Sequence, residues 1–184
     1  EICRGQTKDL LLSKSTGVSE EEYMDMIAGK TGALTEASMQ VGALLGGGSP
    51  SQVRRLGRYG MLVGMAFQIR DDVLGVSGEE KKFGKPIGSD IQEGKRTLLV
   101  IRALEVLGSR DREVLLRILG KKDATQAEIR KAVELLRKSG AIEYASKRAE
   151  EMVAEAKRLL SPLPESKAKK ALLKIADFVI QREV

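Results

Sequence analysis

The chain has 184 residues, 42% of them apolar and 3% aromatic, a composition that favours one all-α domain over a β fold. With one cysteine, Cys3, and no histidine, it excludes an internal disulfide, Cys/His zinc sites and histidine-based catalytic triads, so any metal must be held by oxygen ligands. The net charge is +6, and its distribution argues against a nucleic-acid partner. The excess of basic residues lies in residues 98–184, where bases alternate with acids and no aromatic residues are interleaved.

Start and stop signals divide the chain into helices with short connections and without strand alternation. A first helix is predicted over residues 2–14. Ser19 followed by Glu22 is a capping box that begins a second helix, which the glycines at 46–48 end. A third helix is predicted over residues 50–76, because its proline is tolerated at the first helical position and its apolar residues form one face.

Residues 78–89 contain glycines, lysines and one proline without periodicity, so they are predicted to form a loop before a helix that contains Leu98. Beyond Ser109 the pattern predicts shorter helices, with a capping box that starts at Thr125 and a break at Gly140. No apolar run reaches 18 residues, and the first residues lack a signal-peptide pattern. We therefore expect no membrane span and a cytoplasmic location.

Two adjacent carboxylates, Asp71 and Asp72, lie in the otherwise apolar third helix, with Gln68 and Gly75 on the neighbouring turns. Burying charge is costly unless the charge is paired or bound to a metal. Mg²⁺ prefers one or two carboxylates combined with waters and substrate phosphates. The pattern therefore indicates a metal–diphosphate site, and acids at a helix end that are solvated or paired with Arg70 would give the same pattern.

Two further motifs accompany the acidic pair. Gly29-Lys-Thr31 lies in the second helix, and Gly84-Lys-Pro-Ile-Gly-Ser-Asp-Ile-Gln-Glu-Gly-Lys-Arg-Thr97 follows the third. With Phe67-Gln-Ile-Arg-Asp-Asp72 and Gly5-Gln-Thr-Lys-Asp-Leu10, they resemble the C-terminal part of the trans-isoprenyl diphosphate synthases, which make geranyl, farnesyl and geranylgeranyl diphosphates. The resemblance implies an all-α helical bundle of the isoprenoid synthase type that lacks its N-terminal helices here. Residues 1–184 would then be the C-terminal part of a single domain.

The resemblance implies a set of side chains that hold an allylic diphosphate: Lys30, Thr31, Gln68, Lys85 and Lys95. Asp71 and Asp72 would serve a Mg²⁺ bound to that diphosphate, and Asp90 would brace the loop or a metal-bound water. Lys30, Gln68 and Asp71 are expected to take part in catalysis. The implied reaction is the condensation of isopentenyl diphosphate with an allylic diphosphate, in a homodimer. Thr31 and Gln68 would supply neutral dipoles near the developing allylic cation.

This sequence departs from the family pattern in two ways. Gly75 replaces the last carboxylate of the second aspartate-rich motif, as it also does in archaeal short-chain synthases, which leaves the metal to Asp71 and Asp72. The family's first aspartate-rich motif, its Gly-Gly-Lys motif and its arginine pair do not occur in these 184 residues. We therefore expect this chain alone to be catalytically incomplete, with the N-terminal part of the synthase in a longer parent protein or a second chain.

Two alternatives stay open at the level of sequence. The chain could be a non-catalytic partner subunit of a complete synthase, although such a subunit would not need the lysines and Gln68. It could also be a helical interaction or nucleic-acid-binding module that only looks similar. That module would show no affinity for diphosphate and a strongly salt-dependent binding to nucleic acid.

Overall fold

The computed structural model of the chain describes residues 1–15, 17–77 and 87–182. These residues form α-helices and one π-helical segment, which confirms the predicted all-α fold. In chain order the elements are α1 Ile2–Leu12, α2 Glu20–Ile27, the π segment Ala28–Gly32, α3 Ala33–Leu45, α4 Pro50–Ser77, α5 Ser89–Glu93, α6 Leu98–Val106, α7 Ser109–Ile118, α8 Gln126–Lys138, α9 Ala141–Leu160 and α10 Lys167–Gln181.

Helix α4 is the centre of the bundle and packs most extensively against α9 and α3. Ala66 and Ile69 on α4 are fully buried, as are Ala145 and Ala156 on α9. Small alanine side chains let two helix backbones approach closely, and the buried face of α4 excludes water along most of its length. The acidic pair near the C-terminal end of α4 is therefore carried by the most firmly packed helix of the described chain.

Both predicted capping boxes are present, at Ser19 with Glu22 and at Thr125 with Glu128. Helix α9 follows the predicted break at Gly140, whose φ of 69° is left-handed, and it has 20 residues rather than the shorter length predicted. Its length has a physical reason, since buried alanines recur along one face for the whole span against α4. Among the described helices, none is both long enough and apolar enough to cross a membrane.

The predicted second helix is divided in the structure by the π segment, which lies between α2 and α3. A close backbone approach accompanies this widened turn. A Cβ atom at Gly5 on α1 would lie 2.1 Å from the backbone nitrogen of Lys30, and one at Gly29 would lie 3.2 Å from the Gly5 Cα. Glycines at both positions thus let α1 pack directly against the segment that carries Lys30 and Thr31. π-helical turns are rare and are frequently found at functional sites.

The predicted loop over residues 78–89 lies mostly outside the described residues, because residues 78–86, which include Lys85, are not among them. At the C-terminal end of this loop the structure differs from the prediction, since Ser89 begins the short helix α5. Gly88 and Gly94 bracket α5 with φ angles of 80° and 76°, a left-handed conformation that glycine adopts at little cost. These two turns direct α5 and the following Lys95 back towards α4.

Candidate active site

A cavity of about 240 Å³ lies where α1, α2, the π segment, α4, α5 and the turn after α5 meet. It brings together residues from all four of the motifs that the sequence singled out, although Asp9 and Thr97 are 88 positions apart. The predicted site residues that line it are Lys30, Gln68, Asp71, Asp72, Asp90 and Lys95. Thr31 reaches the site through Gln68, and Lys85 lies outside the described residues.

Asp71 lies at the cavity wall with 30% of its side chain exposed. Its Oδ1 accepts a hydrogen bond from Arg182 Nη1 at 2.7 Å, so this carboxylate has a positive partner that comes from the end of α10. The Arg182 guanidinium also lies over the Phe67 ring, 4.9 Å from its centroid. Both carboxylates of the acidic pair line the cavity, and Asp71 is the more exposed of the two.

Asp72 is buried, with 7% of its surface exposed. The Tyr23 hydroxyl donates to its Oδ2 at 2.7 Å, and Gln68 Nε2 donates to its Oδ1 at 3.0 Å. Burial raises the pKa of Asp72 to about 7, and the charge of Asp90 acts in the same direction, while the two hydrogen bonds and Lys95 act against them. Burial and the neighbouring Asp72 also raise the pKa of Tyr23 well above its ordinary value.

Gln68 is held at both ends of its amide. While its Nε2 donates to Asp72, its Oε1 accepts a hydrogen bond from the Thr31 hydroxyl at 2.8 Å. The two polar side chains that the resemblance places near an allylic cation are therefore in contact with each other. Neutral dipoles that are fixed before the reaction stabilise developing charge without having to reorganise.

The two described lysines of the predicted site are each paired with a carboxylate. Lys30 Nζ lies 2.6 Å from Asp9 Oδ2, and Lys95 Nζ lies 2.6 Å from Asp90 Oδ1 and 3.0 Å from Glu93 Oε2. Burial alone would lower the pKa of Lys95, but its hydrogen bonds and the charges of both acids raise it above the ordinary value. Lys95 is thus fully cationic at neutral pH, and an incoming diphosphate would compete with carboxylates for both lysines.

Lys30 and Lys95 also line a second, more open cavity of about 610 Å³. Asp9 and Ser89 are shared between the two cavities as well. The two lysines therefore line both the cavity that holds the acidic pair and the more open one. A multiply charged ligand could enter through the more open cavity and reach the acidic pair.

Sequence reasoning missed three residues that shape the site. Asp9 belongs to the quoted Gly5–Leu10 motif, and Tyr23 precedes Lys30 by seven residues, which is two helical turns and so the same helix face. That spacing could have identified Tyr23. Arg182 lies 111 residues from Asp71, and no local signal in the sequence joins them.

The donors of the cavity fit a hard divalent cation. Asp71 and Asp90 both line it, and carboxylate oxygens are the ligands that Mg²⁺ takes, usually only one or two of them together with substrate phosphates. A Cβ atom at Gly75 would lie 3.4 Å from Asp90 Oδ2, so the acid missing from the motif would have faced Asp90. Within residues 1–15, 17–77 and 87–182, no group of three or more His, Cys, Asp or Glu side chains forms a metal cage.

Comparison with known proteins agrees with this geometry. The sequence pattern of the polyprenyl synthetase family matches residues 1–136. The short chain isoprenyl diphosphate synthase of Methanothermobacter thermautotrophicus is 48% identical over 183 residues, which cover 100% of this chain and 56% of that protein. This chain thus spans about half the length of such relatives.

Solved structures show the same relationship. The geranylgeranyl pyrophosphate synthetase of Pyrococcus horikoshii superimposes with a TM-score of 0.91 at 44% identity, over 99% of this chain and 55% of that one. The geranylgeranyl pyrophosphate synthase of Corynebacterium glutamicum, solved with isoprenyl diphosphate and magnesium, has a TM-score of 0.92 at 30% identity, over 99% of this chain and 52% of that one. The helical arrangement around the cavity is therefore shared with these two synthases.

Proposed function

The chain belongs to the polyprenyl synthetase family, and on this basis we propose that it forms the part of a prenyltransferase that binds and ionises an allylic diphosphate. The enzyme would make short-chain isoprenyl diphosphates, geranylgeranyl or farnesyl diphosphate, by adding isopentenyl diphosphate head to tail. The observation that carries this proposal is the single cavity in which Lys30, Lys95, Gln68 and Asp71 converge.

In the proposed reaction the allylic C–O bond breaks, and its electron pair leaves on the diphosphate. Lys30 and Lys95 bind that leaving group and stabilise its growing negative charge, after exchanging their carboxylate partners for phosphate oxygens. The hydrogen-bonded pair of Thr31 and Gln68 presents neutral dipoles to the cation. The double bond of isopentenyl diphosphate then forms the new C–C bond, and loss of a proton completes the product.

Asp71 and Asp72 would serve the metal in different ways. Asp71 is the more exposed of the two and would hold Mg²⁺ directly, whereas Asp72 is buried, accepts hydrogen bonds from Tyr23 and Gln68, and would support the site from beside Asp71. When bound, Mg²⁺ neutralises charge on the diphosphate and makes it a better leaving group. Lys85 would add a third cation, as the family resemblance implies.

The proposal also needs the family's first aspartate-rich motif, which these 184 residues do not contain. We propose that a complementary segment of the same protein or of a second chain supplies it, and that the complete enzyme is a homodimer. Native and denaturing mass spectrometry of the protein as purified would test both points. A single 184-residue monomer without a partner would contradict them.

Calorimetric titration of the chain with inorganic pyrophosphate in the presence of Mg²⁺ tests the binding step. We expect Lys30→Ala or Lys95→Ala to weaken binding by about 10- to 100-fold, the loss of one charge-assisted contact of about 1.5–3 kcal/mol. Lys157→Ala is the matched control, because Lys157 pairs with Asp177 on α10, away from the cavity. A wild-type chain that does not bind pyrophosphate, or equal losses in all three variants, would overturn the proposal.

Turnover tests the chemical step. In the catalytically complete protein, assayed with isopentenyl diphosphate and geranyl diphosphate, we expect Asp71→Ala to lower turnover by orders of magnitude. Near wild-type turnover in that variant would refute the metal assignment. Binding of pyrophosphate without any prenyl transfer in the complete protein would favour a non-catalytic subunit instead.

A further inference from the structure

Tyr23 is a buried tyrosine at the site that the proposed reaction does not use. It is 1% exposed and lies on α2, and its hydroxyl donates to Asp72 Oδ2 at 2.7 Å. We propose that Tyr23 is a positioning residue, which acts through Asp72 to fix the direction of the Gln68 amide dipole. This inference rests on the proposed prenyl-transfer function and adds a residue to its machinery.

The hydrogen bonds link four side chains and converge on Asp72 from two sides. Tyr23 donates to one oxygen of Asp72 and Gln68 donates to the other, so Asp72 is an acceptor on both oxygens. An amide has one donor end and one acceptor end. Because its NH₂ end is turned to Asp72, its carbonyl end must face the Thr31 hydroxyl, which donates to it at 2.8 Å.

The donor and acceptor directions of these hydrogen bonds decide where the lone pairs of the site point. With its proton committed to Gln68, the Thr31 oxygen keeps its lone pairs for an electron-poor ligand. A reversed Gln68 amide would present N–H groups to Thr31 and place partial positive charge beside the developing cation. Asp72 removes this alternative because it accepts on both oxygens, and Tyr23 holds that carboxylate in place by donating to its Oδ2.

The position of Tyr23 is fixed independently of any ligand. The Ser19–Glu22 capping box anchors the start of α2 one turn before it, and Ile27, one turn after it, is fully buried. The ring is therefore held by the core while only its hydroxyl serves the site. This separation makes Tyr23→Phe an informative substitution, because the ring stays and only the donor is lost.

The chain offers a matched control in Tyr59. It is also a buried tyrosine, 2% exposed, and its hydroxyl donates at 2.7 Å to the Leu172 backbone carbonyl, away from the cavity. Tyr59→Phe loses one buried hydrogen bond of the same length and keeps its ring. A purely structural role for Tyr23 would make the two variants behave alike.

The experiment measures prenyl transfer in the catalytically complete protein with geranyl diphosphate and isopentenyl diphosphate. For Tyr23→Phe we expect kcat to fall about tenfold, with the KM for isopentenyl diphosphate unchanged. We also expect a larger fraction of the allylic substrate to be released as the alcohol, because a less stabilised cation is captured by water more often. Tyr59→Phe should retain wild-type kcat and product ratio.

A double variant isolates the route through Asp72. If Tyr23 acts through this carboxylate, Tyr23→Phe should have no additional effect on kcat in an Asp72→Asn background. Thr31→Val should raise the alcohol fraction as Tyr23→Phe does, since it removes the hydroxyl that donates to Gln68. Side-chain amide NMR of the chain itself gives a readout without turnover: the Gln68 NH₂ resonances should shift in Tyr23→Phe and not in Tyr59→Phe.

The outcomes separate the two proposals. A wild-type protein that forms no prenyl product refutes the proposed function. An active wild type with unchanged kcat and alcohol fraction in Tyr23→Phe overturns the positioning role alone. Equal losses in Tyr23→Phe and Tyr59→Phe overturn it as well, because they would show a general packing effect. If Tyr23→Phe does not fold, unchanged product ratios in Thr31→Val would have the same meaning.

Discussion

Arg182, the residue that follows α10, forms an ion pair with Asp71 on α4, with 2.7 Å between Nη1 and Oδ1. The contact is reinforced on both sides. The guanidinium lies over the Phe67 ring, and the Arg182 carbonyl accepts a hydrogen bond from Arg70 Nη2 at 3.3 Å. The end of the last helix is thereby held against the acidic pair. Asp71, the proposed metal ligand, is therefore paired with a cationic side chain of the same protein, Arg182.

We expect Arg182→Gln to lower the Mg²⁺ concentration needed for half-maximal pyrophosphate binding by about two- to fivefold. The guanidinium competes with the metal for Asp71, and a partly exposed ion pair contributes about 0.2–1 kcal/mol. Mg²⁺ titrations at fixed pyrophosphate, followed by calorimetry, measure this shift. Arg58→Gln is the control, because Arg58 pairs with Glu155 on α9. A higher Mg²⁺ concentration needed for half-maximal binding in Arg182→Gln would instead show that Arg182 binds the diphosphate.

Gly5 sets the distance between α1 and the π segment. A Cβ atom there would overlap backbone, with 2.1 Å to the Lys30 nitrogen, so no side-chain movement can relieve the clash. We expect Gly5→Ala to lower the free energy of unfolding by about 1–3 kcal/mol, and to weaken pyrophosphate binding by displacing the backbone that positions Lys30 at the cavity. Chemical denaturation and calorimetry measure the two effects.

Gly42 provides the matched control on α3. A Cβ atom at Gly42 would meet nothing within 4 Å, and the position is exposed within a helix. Alanine there should raise the free energy of unfolding by about 0.5–1 kcal/mol, since it forms helix more readily than glycine. Stabilisation by both glycine substitutions would contradict the close packing of α1 on the π segment.

Lys169 should contribute far more to stability than an ordinary lysine. It is 9% exposed, and its Nζ donates to the carbonyls of Ser161 and Leu163 and to Glu165, which joins the end of α9 to the start of α10. We expect Lys169→Met to lower the free energy of unfolding by about 1–3 kcal/mol, because the carbonyls lose their donor. The exposed neighbour Lys170, changed to Met, should have almost no effect in the same denaturation experiment.

The helices could be predicted because their signals are local. Capping boxes, glycine breaks and apolar periodicity each involve residues within a few turns, and Ser19 and Thr125 begin α2 and α8 as the sequence indicates. The π segment and α5 escaped prediction. The first depends on the approach of Gly5 from another helix, and the second has only five residues, too few to show periodicity.

The candidate site divides in the same way. Lys30, Gln68 and Asp71 belong to motifs, so the sequence could name them without knowing how they meet. The residues that form ion pairs with them come from distant positions in the sequence: Asp9 pairs with Lys30, and Arg182 pairs with Asp71. Such pairings depend on the tertiary packing of α1 and α10, which no pattern within a single helix encodes.

The pH dependence of stability should report on Asp72. Burial raises its pKa from 3.8 to about 7, so between these values the folded protein holds a proton that the unfolded chain has released. The unfolded state then binds fewer protons, and the free energy of unfolding falls as the pH rises through this window. A rise from 3.8 to about 7 corresponds to about 4 kcal/mol in total.

We therefore expect Asp72→Asn to become more stable relative to wild type by about 2–3 kcal/mol between pH 5 and pH 8, measured by urea denaturation with a chelator present. Asp111→Asn is the control. The hydrogen bond from Lys138 lowers the pKa of Asp111, so its carboxylate is ionised in both folded and unfolded states throughout this range. Its substitution should leave the slope of stability against pH unchanged. A parallel pH profile for Asp72→Asn and wild type would mean that Asp72 is ionised throughout, and that Tyr23 and Gln68 together offset the cost of burying its charge.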